Sequence, residues 1–314
     1  MRIAVDVVRC RPASSIYRGA SFPQWVSQSE VARYDNRTRE TDIGIKRPSQ
    51  LRPNDDSSHT FGLPPGKALT APDSPRIALV TGGTRGIGTE IARGLVREGI
   101  IVHLTGRDGE KAVGVAAELA RETGGAVTGH ELEVTDGEAA QILVDEIRAQ
   151  HGRIDVLVNN AAVELDLEGS ALKADLDGVR IMLETNLIAP WRLIQLVAPG
   201  MLDHGYGRIV NVTTGLAQFE RMADRRRDDH YPGHAGYRIS KAALNALTAL
   251  VAGELRDSSV LVNASDPGYC RTEMGAPFAP FSASEGAEVT IHLATIDENG
   301  PTAGWFFQRL PKTW

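Results

Sequence analysis

From Arg76 onward, two kinds of hydrophobic run alternate along the chain. Ile77-Ala-Leu-Val80 is apolar at every position, the pattern of a short strand buried on both faces. Similar runs follow at Ile100–Leu104, within Ala126–Val134, and at Ile154–Val158, Arg208–Val212 and Val260–Asn263, and Gly304–Phe307 predicts a short last strand. Between them, apolar residues recur at helical spacing over Gly88–Glu98, Asp108–Glu122, Asp136–Gln150, Met182–Met201 and Tyr237–Arg256. Strands separated by helices of this length predict βαβ units. Right-handed crossovers then place helices on both faces of a doubly wound parallel sheet, whose ligands bind beyond the carboxyl ends of the strands.

Residues 1–74 carry no such period. They are rich in Arg, Ser, Pro and Asp, and Arg47-Pro48, Arg52-Pro53, Pro64-Pro65-Gly66 and Ala71-Pro72 favour extended or turn conformations. The reading is a largely disordered extension, without the continuous apolar segment of a secretory signal, ahead of a single domain over 75–314.

Charge separates the two regions as well. Up to Asp73 there are eleven Lys and Arg against eight Asp and Glu, or +3, which leaves −9 of the total of −6 for the remainder. An acidic main body repels phosphate backbones, so nucleic acid is not an expected partner. Two cysteines, Cys10 and Cys270, are too few for a disulfide framework and point to a reducing, cytoplasmic setting. No apolar run approaches the roughly 20 residues that span a bilayer, so no membrane role is expected.

The chemistry starts after the first strand, at Thr81-Gly-Gly-Thr-Arg-Gly-Ile-Gly88. Gly82 suits a tight turn, Gly86 a close approach to a pyrophosphate, and Gly88 close helix–sheet packing; the N–H groups opening the helix favour an anion. A strand before and a helix after make this a dinucleotide turn of the Rossmann type, while the lack of a closing Gly-Lys-Ser/Thr excludes a P-loop. The second strand ends Leu104-Thr-Gly-Arg107, with no acid before Asp108. Arg107 and Arg85, in place of an acidic residue for the ribose 2′-hydroxyl, favour NADP(H) over NAD(H). The plainer alternative makes Arg107 a solvated residue and Asp108 a helix cap.

Tyr237-Arg-Ile-Ser-Lys241 places Tyr and Lys one turn apart on a helix face. The spacing predicts that the ammonium lowers the phenol pKa and readies it for proton exchange with an alcohol or carbonyl. On its own the spacing is common. Together with Thr81–Gly88, Asn159-Asn-Ala-Ala162, Asn186, Thr213-Thr214 and Pro267-Gly268, in order from about Arg76 to Trp314, it resembles the short-chain dehydrogenase/reductase family. Arg208–Thr214, Ala235–Ala246 and Pro267–Gly275 look like that family's carbonyl-reductase-like group.

The resemblance implies a small-molecule carbonyl or alcohol substrate and, since members are often dimers or tetramers, leaves a homo-oligomer open. It implies Tyr237 as general acid in reduction, Lys241 as the residue that tunes it and binds the nicotinamide ribose, and Asn186 as the holder of a relay water. Thr214 takes the substrate-oxygen position where serine is usual, with Thr213 as the fallback. Its cofactor contacts would be Thr81, Gly82, Arg85, Gly86, Ile87 and Gly88 in the turn, then Arg107, Glu133 and Val134. Asn159, Asn160, Tyr237, Lys241, Pro267, Gly268 and Thr272 complete them.

Four departures accompany the match. Thr214 adds a methyl to the usual serine, Ala162 replaces a glycine, Glu133 replaces an aspartate, and an inserted loop (about Leu216 to Ala235) separates Thr214 from Tyr237. Two other readings stay open: a dinucleotide-binding sensor or partner-binding protein impaired in catalysis, and a ketoacyl-thioester reductase. His230-Tyr-Pro-Gly-His234 has the spacing of a helical metal pair, but Pro232-Gly233 interrupts it and a third ligand is lacking, so no metal is expected. No Gly-x-Ser-x-Gly elbow is present, against an α/β-hydrolase.

Overall fold

A computed structural model describes residues 75–166, 169–223 and 233–314. The extension expected over 1–74 lies outside them, as do Arg225–His230. In chain order the elements are β1 (Ile77–Val80), α1 (Gly86–Arg97), β2 (Ile101–Gly106), α2 (Gly109–Thr123), β3 (Val127–Glu131), α3 (Gly137–His151) and β4 (Val156–Asn159). Then come α4 (Leu176–Leu183), a π-helical turn (Glu184–Ile188), α5 (Ala189–Asp203) and β5 (Gly207–Val212). A 3₁₀ turn (Gly215–Ala217), α6 (Phe219–Ala223), α7 (Ala235–Glu254), β6 (Val260–Asp266), α8 (Ala283–Thr295), β7 (Trp305–Phe307) and β8 (Leu310–Lys312) complete the fold.

The sheet runs β3-β2-β1-β4-β5-β6-β7-β8, parallel throughout except for β8. Side chains alternate between its faces. Ala78, Val80, Val102, Leu104, Val156 and Val210 pack under α1, α2 and α8 on one side. Ile77, Leu79, Leu157, Ile209, Val260 and Val262 pack against α3, α5 and α7 on the other. Every residue of β1, β4, β5 and β6 is buried, which is why these strands read as apolar runs without alternation. Each buried Val, Leu or Ile contributes about 1.5–3 kcal/mol against exposure, so the central strands form a rigid platform for the loops at their carboxyl ends. That burial also takes in His103 of β2, hydrogen-bonded at 2.9 Å to both His130 and His151. Burial, with the charge His130 and His151 would carry, pushes its pKa down to about 4 and keeps the ring neutral.

The sequence and structure part company in three places. The helix expected over Met182–Met201 is α4 and α5 joined by the π turn, in which the Ala189 N–H donates to the Glu184 carbonyl. Pro190 supplies the reason: it has no N–H for the Asn186 carbonyl, and its ring would crowd that carbonyl in a regular helix. Helix α8 has no counterpart in the apolar-run reading, although Ser282 and Glu285 form a reciprocal capping box at its start. Strand β8 returns antiparallel through Gln308 and Arg309, with φ of 48° and 66°. This is a hairpin turn made without the glycine that normally marks one.

Candidate active site

The motif residues gather at the carboxyl edge of the sheet, around a cleft of about 650 Å³. After β1 the chain turns on Gly82 and Gly86, whose φ values of 63° and 54° lie in the left-handed region. The Thr81 hydroxyl accepts from the N–H groups of Asn160 and Ala161, at 3.0 and 3.1 Å. In return the Asn160 amide donates to the carbonyls of Thr81 and Gly82, at 2.9 and 3.0 Å. This reciprocal set locks the turn to the end of β4 and leaves bare backbone facing the cleft. A Cβ at Gly88 would lie 2.1 Å from the Gly82 carbonyl oxygen, so α1 sits against the turn only because that residue is glycine.

Chemically, this end of the cleft fits a dinucleotide. The α1 N-terminus and the glycine backbone form an anion cradle, and a Cβ at Gly82 would press on Ala161 at 3.0 Å. Arg85, Arg107 and Lys111 border it, with Glu133 and Val134 from the segment after β3. Lys111 is a third cation that the motif reading passed over; it lies one turn into α2, which the β2-end rule does not reach. Asp108 does cap α2, accepting from the Lys111 N–H at 3.0 Å, while Arg107 is exposed and lines the cleft. The cap and a lining arginine therefore coexist.

The other end is sealed. Tyr237 and Lys241 open into the cleft from the first turns of α7 and are otherwise buried, at 9% and 2% exposure. Lys241 donates from Nζ to the Val212 carbonyl at 2.7 Å, and its Nζ lies 6.0 Å from the centre of the Tyr237 ring. The lowered phenol pKa expected from the Tyr–Lys spacing is not what the surroundings produce. Burial, then the carboxylates of Glu164 and Asp266, push the Tyr237 phenol above its ordinary value. Burial also pushes Lys241 down to about 7, so the ammonium that was to lower the phenol is itself held near half charge at neutral pH.

Asn186 sits in the π turn, fully buried. Its Oδ1 accepts from the Val163 N–H at 2.9 Å, and its Nδ2 donates to the Val163 carbonyl at 2.9 Å and to the Ser240 hydroxyl at 3.0 Å. It thus ties the segment after β4 to α7. Asn159 is buried one layer deeper, donating to Asn211 at 2.8 Å, and does not line the cleft. Thr213 lines it, whereas Thr214 does not and instead accepts from the Leu216 N–H at 3.3 Å as the 3₁₀ cap. Pro267 and Thr272 line the cleft from the segment after β6, and Gly268, with φ of 73°, turns that segment beneath Phe281 and Phe307.

Two acids near the tyrosine carry no motif signal. Asp166 caps α7 from outside the helix, accepting from the N–H groups of Gly236 at 2.5 Å and Tyr237 at 3.4 Å. Glu164 is hydrogen-bonded to His234, which precedes α7 with φ of 65°. Both lie 70 residues from their partners, too far for any local pattern to reveal. His230 of the possible metal pair lies outside the described residues, and among those described no group of three His, Cys, Asp or Glu is placed to hold a metal. Nor, among them, is any helix long and apolar enough to cross a membrane.

Comparison with known proteins meets this geometry. The short chain dehydrogenase family model matches residues 76–282. The chain is 29% identical to (-)-isopiperitenone reductase of Mentha piperita, over 74% of this chain and 96% of that protein. It is 30% identical to carbonyl reductase [NADPH] 1 of Sus scrofa, over 72% and 90%. A metagenomic short-chain oxidoreductase solved in complex with NADP superposes with a TM-score of 0.61 at 32% identity, covering 73% of this chain and 94% of that one. With a glycine-turn cradle at one end of its cleft and a buried Tyr–Lys pair at the other, the chain belongs to the short-chain dehydrogenase family and is an NAD(P)-dependent oxidoreductase.

Proposed function

We propose that the protein is an NADP(H)-dependent carbonyl reductase, interconverting a small-molecule carbonyl and its alcohol. The observation that carries this reading is the position of Tyr237, buried yet open to the same cleft that the glycine turn lines. The nicotinamide, when bound, supplies or takes the hydride. The protein's part is the proton: in reduction the Tyr237 hydroxyl donates it to the carbonyl oxygen, and the raised phenol pKa keeps that proton in place well above neutral pH. Lys241 holds the nicotinamide ribose and returns the proton to Tyr237, and Asn186 stations the water through which it is replaced. Thr214 hydrogen-bonds the substrate oxygen, with Thr213, which lines the cleft, as the fallback.

In the same reading, Thr81, Gly82, Gly86, Ile87, Gly88, Asn159 and Asn160 form and support the pyrophosphate cradle. Glu133 and Val134 flank the adenine, and Pro267, Gly268 and Thr272 cover the nicotinamide. Arg85 and Arg107 meet a 2′-phosphate, which supports NADP(H) over NAD(H); NADP in the solved relative is consistent with that choice. The test follows NADPH and NADH absorbance with a panel of ketones, aldehydes, quinones and ketoacyl thioesters. Turnover of a ketone or aldehyde, faster with NADPH, is expected. Tight NADPH binding with no turnover of any of them would overturn the enzymatic reading in favour of a sensor.

A further inference from the structure

Arg85 is not idle in the glycine turn. Its guanidinium is paired with the carboxylate of Glu273, across the mouth of the cleft that both residues line. Glu273 belongs to a loop closed at its base: the Arg271 N–H donates to the Phe281 carbonyl at 2.8 Å, and the Phe281 N–H to the Tyr269 carbonyl at 3.2 Å. The Arg271 side chain braces the loop further, donating to the carbonyls of Ala279 and Pro280 at 2.7 and 2.9 Å. The loop also abuts the turn directly, since a Cβ on Gly86 would stand 3.2 Å from the Thr272 methyl. Glu273 therefore reaches Arg85 from a braced support.

We propose that Glu273 is a cofactor-selectivity residue, an internal carboxylate that competes with the cofactor's 2′-phosphate for Arg85. The proposal rests on the reading of Arg85 as a phosphate contact. A dinucleotide carrying a 2′-phosphate gains Arg85 only by exchanging it away from Glu273. One without that phosphate leaves the Arg85–Glu273 pair standing and neither gains nor loses by it. Glu273 thus lowers affinity for NADPH selectively and narrows the preference that Arg85 and Arg107 create. Both partners are more than half exposed, at 51% and 66%, so the pair is screened and its effect is modest and salt-dependent.

The experiment is a double-mutant cycle on cofactor binding, read by the fluorescence of NADPH and NADH titrated with the full-length protein, without substrate. At low ionic strength, Glu273→Gln is expected to tighten NADPH binding by about three- to fivefold and to leave NADH within about twofold. The gain should shrink with added salt and vanish in the Arg85→Gln background. Equal tightening of both cofactors would overturn the proposal, because it would mean that Glu273 merely repels the pyrophosphate they share. No tightening of NADPH would overturn it too. Arg85→Gln alone separates the two levels of inference: if it leaves NADPH affinity unchanged, the phosphate reading of Arg85 fails first. If it weakens NADPH while Glu273→Gln has no effect, only the competition fails.

Discussion

The two halves of the cleft are built on opposite principles. The glycine-turn half is open and carries exposed charges of both signs, with Arg85, Arg107 and Lys111 beside Asp108, Glu133 and Glu273 around a backbone cradle. The tyrosine half is closed and acidic, with Glu164 and Asp266 acting on a buried Tyr237 and Asp166 capping its helix. In the first half charges remain in water, so they select a ligand by about a kcal/mol per contact and respond to salt. In the second, burial moves protonation equilibria by far more than exposed contacts can, as the shift of Lys241 to about 7 illustrates. Affinity and chemistry are thus assigned to different dielectric surroundings, and mutations should separate them.

The largest separation is expected from Tyr237→Phe. Losing the proton donor should cut turnover about 10²- to 10⁴-fold while NADPH titration stays within about twofold of the parent. Retention of full activity would remove Tyr237 from its role and with it the division of labour. Gly88→Ala should do the reverse. Its Cβ would meet the Gly82 carbonyl at 2.1 Å and the Asn160 amide at 2.6 Å, so the start of α1 has to move. A stability loss of about 1–3 kcal/mol, measured by thermal unfolding, should accompany NADPH binding weakened by more than about tenfold.

Smaller effects sharpen the contrast. Arg107→Ala should weaken NADPH by about tenfold, in keeping with one charge-assisted contact, and barely change NADH. An equal loss for both cofactors would mean that Arg107 serves the shared part of the dinucleotide. The smallest effect belongs to Glu164→Gln. A carboxylate beside a phenol disfavours phenolate, so removing its charge lowers the Tyr237 pKa. The alkaline limb of carbonyl reduction should then move to lower pH, by about half a unit to one unit, with the acid side unchanged. An unmoved or upward-shifted limb would show that Glu164 does not act on the tyrosine.

The same contrast explains what could be read from the chain. The parallel sheet and the glycine turn were legible because their signals are local: apolar runs at Ile77–Val80 and Val260–Asn263, and glycines next to a strand and helix. Tyr237 and Lys241 line one end of the cleft, while Asn186 is buried behind it, bonded to Val163 and Ser240. What the motif could not reveal was the electrostatic state of Tyr237 and Lys241, because burial sets it, and the acids that add to the shift of Tyr237 come from other parts of the chain. Spacing predicted a lowered phenol; burial outweighs the lysine and lowers the lysine's own pKa instead. Strand β8 escaped for another reason, since Gln308 and Arg309 adopt left-handed conformations without a glycine to announce them. Glu273 is exposed and sits in no recurring pattern with Arg85, 188 residues away.

One further consequence follows from the π turn at Glu184–Ile188. Each residue of an α-helix advances by about 100° around the axis, so one additional residue before Pro190 resets the phase between α4 and α5. That offset lets Asn186 face Ser240 while Leu193, Ile194 and Val197 still face the core. The segment is therefore tolerant in composition and intolerant in length. Conservative replacements at Leu187 or Ile188 keep the phase. Deleting a single residue there would turn either Asn186 or the apolar stripe of α5 out of alignment, a lesion of direction that no compensating side chain could repair.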